Sequence, residues 1–229
     1  MILEFLQSID LAWFEAWNGS SSMFMDRLML DVTMWWMWIP LYVSLVCVIV
    51  QNNDTFVRMS LAIGLALLCF MLTELTADVI IKPLVGRIRP CNDPTVHALL
   101  SHGYIVKGYS FISAHAANTC GLFVFISLLI RNKTMTYSLL SWALLSCFSR
   151  IYLGVHYPGD VLCGMLLGAL IGWGMYRLWQ YFIKQAVGNL RYVSKNITPS
   201  GYSISNLDQV VTVLCLTYVG IIIHTVIAA

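Results

Sequence analysis

The chain has 229 residues, of which 59% are hydrophobic and 10% charged, with a mean hydropathy of +0.77. Soluble domains carry about 25% charged residues, so much of this surface must face lipid in place of water. A formal charge of +2, with no basic run interleaved with aromatics, sets nucleic acid aside as a partner.

The opening MILEFLQSIDLAWFEAWNGS has no basic flank and is interrupted by Glu4, Asp10 and Glu15. With Trp13 and Trp17 it reads as a helix lying at the membrane surface, not as a cleaved leader. Crossing the hydrocarbon takes about 20 mostly apolar residues in a helix. Six stretches qualify, some marginally: 34–50, 56–81, 114–130, 137–152, 159–183 and 210–229. Long connections remain at 83–112 and 184–209. The expected fold is an all-α polytopic membrane bundle in one domain, 1–229, with an interfacial N-terminal helix. Six of the seven cysteines lie in apolar stretches and no Cys-x-x-Cys pair occurs, so they read as packing residues.

Six crossings put both termini on one side, with the 83–112 connection. The opposite side carries Arg58, Arg131, Lys133, Arg177, Lys184, Arg191 and Lys195. Once the cations assigned to chemistry below are set aside, the excess of Lys and Arg places that opposite side in the cytoplasm.

Charge beside membrane helices is costly, and here it gathers in three segments on one predicted face. KPLVGRIRP holds Lys82 and Arg89; FISAHAANT holds Ser113 and His115; SRIYLGVHYPGD holds Ser149, Arg150, His156 and Asp160. Each has a plain structural alternative: snorkelling cations, a helix cap, a packed histidine. Together they supply every part of a phosphate site. Lys82, Arg89 and Arg150 offer fixed positive charge for phosphoryl oxygens. His156 with Asp160 offers an oriented nucleophile, and His115 a proton for the leaving oxygen.

These segments resemble the three-part signature of the type 2 phosphatidic acid phosphatase family, related to vanadium haloperoxidases. Lys-x6-Arg-Pro matches at Lys82, Arg89 and Pro90, and Ser-Arg-x5-His-x3-Asp matches from Ser149 to Asp160. In the middle part Ile112 replaces the family's proline and Ala114 its glycine, while Ser113 and His115 remain. The resemblance implies a lipid phosphatase in which His156 forms a phosphohistidine and His115 protonates the leaving group. Lys82, Arg89, Ser113 and Arg150 would bind phosphate, with Ser149 in support, and no metal or other cofactor is implied. The implied partners are a lipid phosphate and membrane lipids, with no obligate protein partner evident. Undecaprenyl diphosphate is the first expectation for substrate; phosphatidylglycerophosphate, phosphatidate and lipid A phosphates stay open. Phosphotransfer to a second lipid is a further alternative. Retention of both histidines and Asp160 argues against a mere binder.

Glu74, Asp78 and Lys82 recur at four-residue spacing. Asp78 is expected to pair with Lys82 in support of the site, or either acid to bond to a neighbouring helix, with a role in substrate choice as the alternative. His97, His102 and His224 read as loop or packing residues.

Overall fold

The computed structural model describes residues 2–96, 98, 104–187 and 196–228. Among them the chain is helical apart from turns and one isolated bridge between Ile197 and Ser203. Local chemistry explains most helix starts. Ser22 caps α2 (Met23–Thr33), Thr55 caps α4 (Phe56–Glu74), Ser113 caps α6 (Ala114–Ile130) and Asn132 caps α7 (Lys133–Tyr152). Each side-chain oxygen accepts an N–H that the helix leaves unpaired. Pro158 opens α8 (Pro158–Val187), where its missing N–H costs nothing. The N-terminal helix is α1 (Ile2–Trp17), and α9 (Ile204–Ala228) ends the described chain.

The first expected crossing takes a different form. α2 precedes it, a 3-10 turn covers Trp35–Trp38, and α3 spans Ile39–Gln51. The two arms, 23–33 and 35–51, meet at 68°. The Trp38 indole N–H donates to the Val32 carbonyl at 2.8 Å, so a side chain satisfies a carbonyl that the break exposes. The second crossing passes from α4 into a π-helical stretch, Leu75–Ile81, and then into α5 (Lys82–Val85). It ends where Gly86 adopts φ 63°, a left-handed conformation that glycine takes without strain.

By length and composition, three helical runs among the described residues can cross a membrane: 56–85, 158–184 and 204–228. The bent pair makes a fourth if it counts as one span, and α6, with 17 residues, is shorter.

Most extensive of all is the packing of α6 on α8. Gly164, Gly168 and Gly172, one turn apart on α8, lie against the carbonyl oxygens of Ser113, Ala117 and Gly121 on α6. A Cβ at any of them would collide with backbone. Small residues bring membrane helices this close, where dispersion and not water exclusion holds them. Elsewhere α3, α4, α6, α7 and α9 enclose a core that includes Trp38, Leu41, Phe125, Leu129, Leu139 and Trp142. Asp31 on α2 is buried but paired, with Arg27 at 3.3 Å, His224 at 2.9 Å and Thr225 at 2.9 Å. His224 therefore ties α9 to α2. All seven cysteines are free.

Candidate active site

Gly86 ends α5, and the chain then runs out in an irregular segment through Arg89. There Ile88 is exposed while Arg87 and Arg89 on either side turn inward. In extended backbone, alternate residues share a face. Arg89 is buried, and its Nη1 donates to the Val155 carbonyl at 3.1 Å and to His156 Nε2 at 3.2 Å.

His156 lies in the turn between α7 and α8, buried at 2% exposure. Its backbone N–H donates to the Arg150 carbonyl at the end of α7, which sets the turn. A guanidinium has no lone pair to offer, so the Arg89 contact makes Nε2 an acceptor. The neutral ring then carries its proton on Nδ1. Burial, reinforced by Arg150 and Arg89 and opposed in part by Asp160, holds the imidazole pKa down at about 4. The ring is thus uncharged at neutral pH.

Asp160 sits in the first turn of α8, fully buried. It does not hold His156 in the way the sequence suggests: Nδ1 is 3.6 Å from Oδ2, beyond hydrogen-bond length, and has no partner among the described residues. The carboxylate is occupied instead by Arg87 Nη1 at 2.8 Å, the Tyr157 amide at 2.9 Å and the Ser110 hydroxyl. It therefore acts on the imidazole by its charge across a short gap.

Arg87 is the centre of this second tier. Its Nη2 reaches Asp10 on α1 at 2.7 Å, and its guanidinium lies 3.8 Å above the Tyr157 ring. Burial disfavours the Arg87 charge, but Asp160 and Asp10 outweigh it and raise the pKa. Asp10 also accepts the Gly159 amide at 2.6 Å, and Phe14 packs on Tyr157 with ring centroids 5.4 Å apart. The N-terminal helix is thus fastened to the start of α8. Sequence reasoning missed Arg87, Ser110 and Asp10. For Arg87 a signal existed, its place two residues before Arg89; Asp10 and Ser110 offered none.

The remaining expected residues divide into two groups. Lys82, Arg89, His115, Arg150 and His156 share the wall of one cavity of about 660 Å³. Ser113 does not reach that wall. It is fully buried, and its hydroxyl accepts the Ala116 amide at 3.3 Å as the cap of α6. Ser149 turns away too, donating to the Ser146 carbonyl at 2.7 Å. Arg150 is held instead by Thr33 of α2. Asp78 pairs with Lys82. Glu74 accepts from Asn118 on α6 and also faces the cavity. His97 and His102 lie outside the described residues.

The far part of the same cavity is apolar. Tyr42, Leu45, Ile49, Ala66, Phe70 and Leu122 extend it between α3, α4 and α6, away from the cations. Clustered cations around a neutral histidine, opening into an apolar groove in a membrane bundle, define a protein that handles phosphate on lipids.

The match to known proteins is closer still: residues 58–184 fit the model of the PAP2 superfamily, and the chain belongs to that family, a PAP2 lipid phosphatase. It is 30% identical over 231 residues to a lipid A 4'-phosphatase of Bacteroides thetaiotaomicron, covering 99% of each chain. To the undecaprenyl-diphosphatase BcrC of Bacillus subtilis it is 38% identical over 89 residues, 39% of this chain and 44% of that one. The solved structure of a transmembrane PAP2 type phosphatidylglycerolphosphate phosphatase from Bacillus subtilis superposes with a TM-score of 0.58 at 26% identity. That superposition covers 81% of this chain and 89% of the other.

Proposed function

We propose that the chain removes a phosphomonoester from a lipid of the lipid A type, through a phosphohistidine at His156. The observation that carries this reading is the Arg89–His156 contact at the polar end of a groove suited to acyl chains. It leaves Nε2 with a lone pair facing a site of fixed positive charge.

When substrate phosphate enters, Arg89 exchanges Nε2 for a phosphoryl oxygen, and Lys82 and Arg150 take the other oxygens. Nε2 attacks phosphorus, the N–P bond forms and the bond to the leaving oxygen breaks. His115 gives that oxygen its proton. Water then attacks the phosphorus of the phosphohistidine and loses a proton to His115. The N–P bond breaks, inorganic phosphate leaves, and the histidines return to their starting states. The negative Asp160 stabilises the positive charge that grows on the His156 ring during attack. In this reading Ser113 serves by capping α6, and so by placing His115.

The end-to-end likeness to a lipid A 4'-phosphatase supports a sugar-borne monoester over undecaprenyl diphosphate, whose hydrolase resembles 39% of the chain. The enzyme sits in the cytoplasmic membrane with six crossings, its site on the extracytoplasmic face and α1 at the interface. Arg58, Arg131, Lys133, Arg177 and Lys184 at the opposite end support that orientation.

The test is phosphate release by the purified chain from lipid A, undecaprenyl diphosphate and phosphatidylglycerophosphate, with EDTA present and His156→Ala as control. Fastest release from lipid A, abolished by the substitution, is expected. Equal rates from wild type and His156→Ala would overturn the mechanism, and preference for the diphosphate would overturn the substrate.

A further inference from the structure

A second polar cavity lies at the other end of the bundle. α6 separates it from the histidines by roughly 25 Å, at 1.5 Å per residue. Its volume is about 590 Å³, and it is bounded by the start of α4, the ends of α6 and α8, and the turn at 196–203. Four cations line it, Arg58, Arg131, Arg177 and Lys184, and among the described residues no carboxylate does. None of the four forms an ion pair among the described residues.

Cations at a membrane surface often serve only to fix topology, and such side chains reach into water. Two features distinguish this group. It surrounds a concavity, so that the charges converge. And two donors of the cavity wall, Arg58 Nε and the Trp179 indole N–H, are buried without a hydrogen-bond partner among the described residues. A buried donor left unpaired is costly, and a small side-chain shift toward an acceptor in the cavity would relieve that cost. Converging guanidinium groups with spare donors fit the oxygens of a phosphate, which Arg recognises by paired hydrogen bonds. Basic pockets between membrane helices are settings in which anionic headgroups bind.

We propose that this cavity is a second anion site, separate from the catalytic one, that takes a phosphate group. The phosphate belongs either to an anionic lipid of the leaflet opposite the active site or to free inorganic phosphate. The proposal does not depend on which lipid the enzyme hydrolyses.

Thermal unfolding of the purified full chain tests it, titrated with sodium phosphate and separately with phosphatidylglycerol in mixed micelles. Phosphatidylcholine micelles serve as the reference. One anion is expected to raise the melting temperature of wild type and of the catalytic-site variant Arg89→Gln. In Arg58→Gln/Arg177→Gln the half-saturating concentration should rise about tenfold or more, which is 1.4 kcal/mol. A response to phosphatidylglycerol alone identifies a headgroup site, and a response to phosphate a free-anion site. Normal phosphatase activity in the double variant shows that it is folded; if it is not, Lys184→Gln and Arg131→Gln are read singly in the same way. No stabilisation of wild type by either anion would overturn the proposal. So would stabilisation that survives in these variants, or that is lost only in Arg89→Gln.

Discussion

Arg89 Nη1 and His156 Nε2 stand 3.2 Å apart, and that contact sets the tautomer of the imidazole and adds to the forces that keep it uncharged. A cation placed against a ring nitrogen resists protonation there. The His156 pKa is accordingly depressed to about 4, with burial as the largest cause. Because the neutral ring is the nucleophile, activity limited by this group persists as pH falls and disappears below about 4. Arg89→Gln removes one of the depressing charges, so the acid limb of kcat/KM is expected to move to higher pH. The same substitution removes a phosphate ligand and should lower kcat by about 10²–10³. A pH–rate profile of the two proteins checks both; an acid limb unmoved would mean that Arg89 does not act on His156.

Arg87 holds two carboxylates, Asp160 at 2.8 Å and Asp10 at 2.7 Å. Removing one member of a buried ion network costs about 3–5 kcal/mol, because the remaining charges stay desolvated and unpaired. Arg87→Gln is therefore expected to lower the melting temperature in detergent sharply and to abolish activity. Arg87→Lys should restore little, since an ammonium cannot span both acids and lie flat on Tyr157. Asp10→Asn should be milder, because it keeps an oxygen for the Gly159 amide. Equal melting temperatures for wild type and Arg87→Gln would remove the network from the account.

On α8, Gly168 faces the Ala117 carbonyl with no room for a Cβ. Gly168→Ala should force α6 and α8 apart at a cost of about 1–3 kcal/mol. His115 rides on the first turn of α6 and would move with it, so activity should fall together with stability. Gly174, whose added Cβ would meet nothing within 4 Å, provides the comparison. Gly174→Ala is expected to leave both properties unchanged in the same thermal and phosphate-release assays.

Ala66 lines the apolar part of the active-site cavity. Ala66→Trp should fill the groove and raise KM for a long-chain lipid by about tenfold, equivalent to 1.4 kcal/mol. Hydrolysis of p-nitrophenyl phosphate, which has no acyl chain, should continue at the wild-type rate. Parallel loss on both substrates would mean that the groove does not carry the lipid.

What could be read from the sequence was local. Lys82, Arg89, His115, Arg150 and His156 meet at one cavity, as the three motifs imply, because each motif sits at a helix end on one face of the bundle. The extent of α6 was legible too, since Ser113 caps it and an apolar run fills it. Contacts distant in the chain were not. Asp10 engages Gly159 across 149 positions, and nothing around residue 10 announces a partner so far away. The bend at Trp35–Trp38 was hidden for another reason: an apolar run looks the same whether it is straight or broken. Ser113 and Ser149 show the opposite error, for both bond to nearby backbone within their own helical turns.

The π-helical stretch before Lys82 makes chain length, as distinct from residue identity, a determinant of the phosphate pocket. The Lys82 amide bonds to the Ala77 carbonyl, five residues back in place of four. Each residue of a regular helix turns the chain by about 100°. Deleting one residue between 75 and 81 would let the ordinary spacing return and swing the Lys82 ammonium about a quarter of a revolution off its target. Conservative exchanges among those apolar side chains should be silent by comparison. Variation among relatives should then be free in composition at the exposed Leu75, Val79 and Ile80 and strict in the count of the segment.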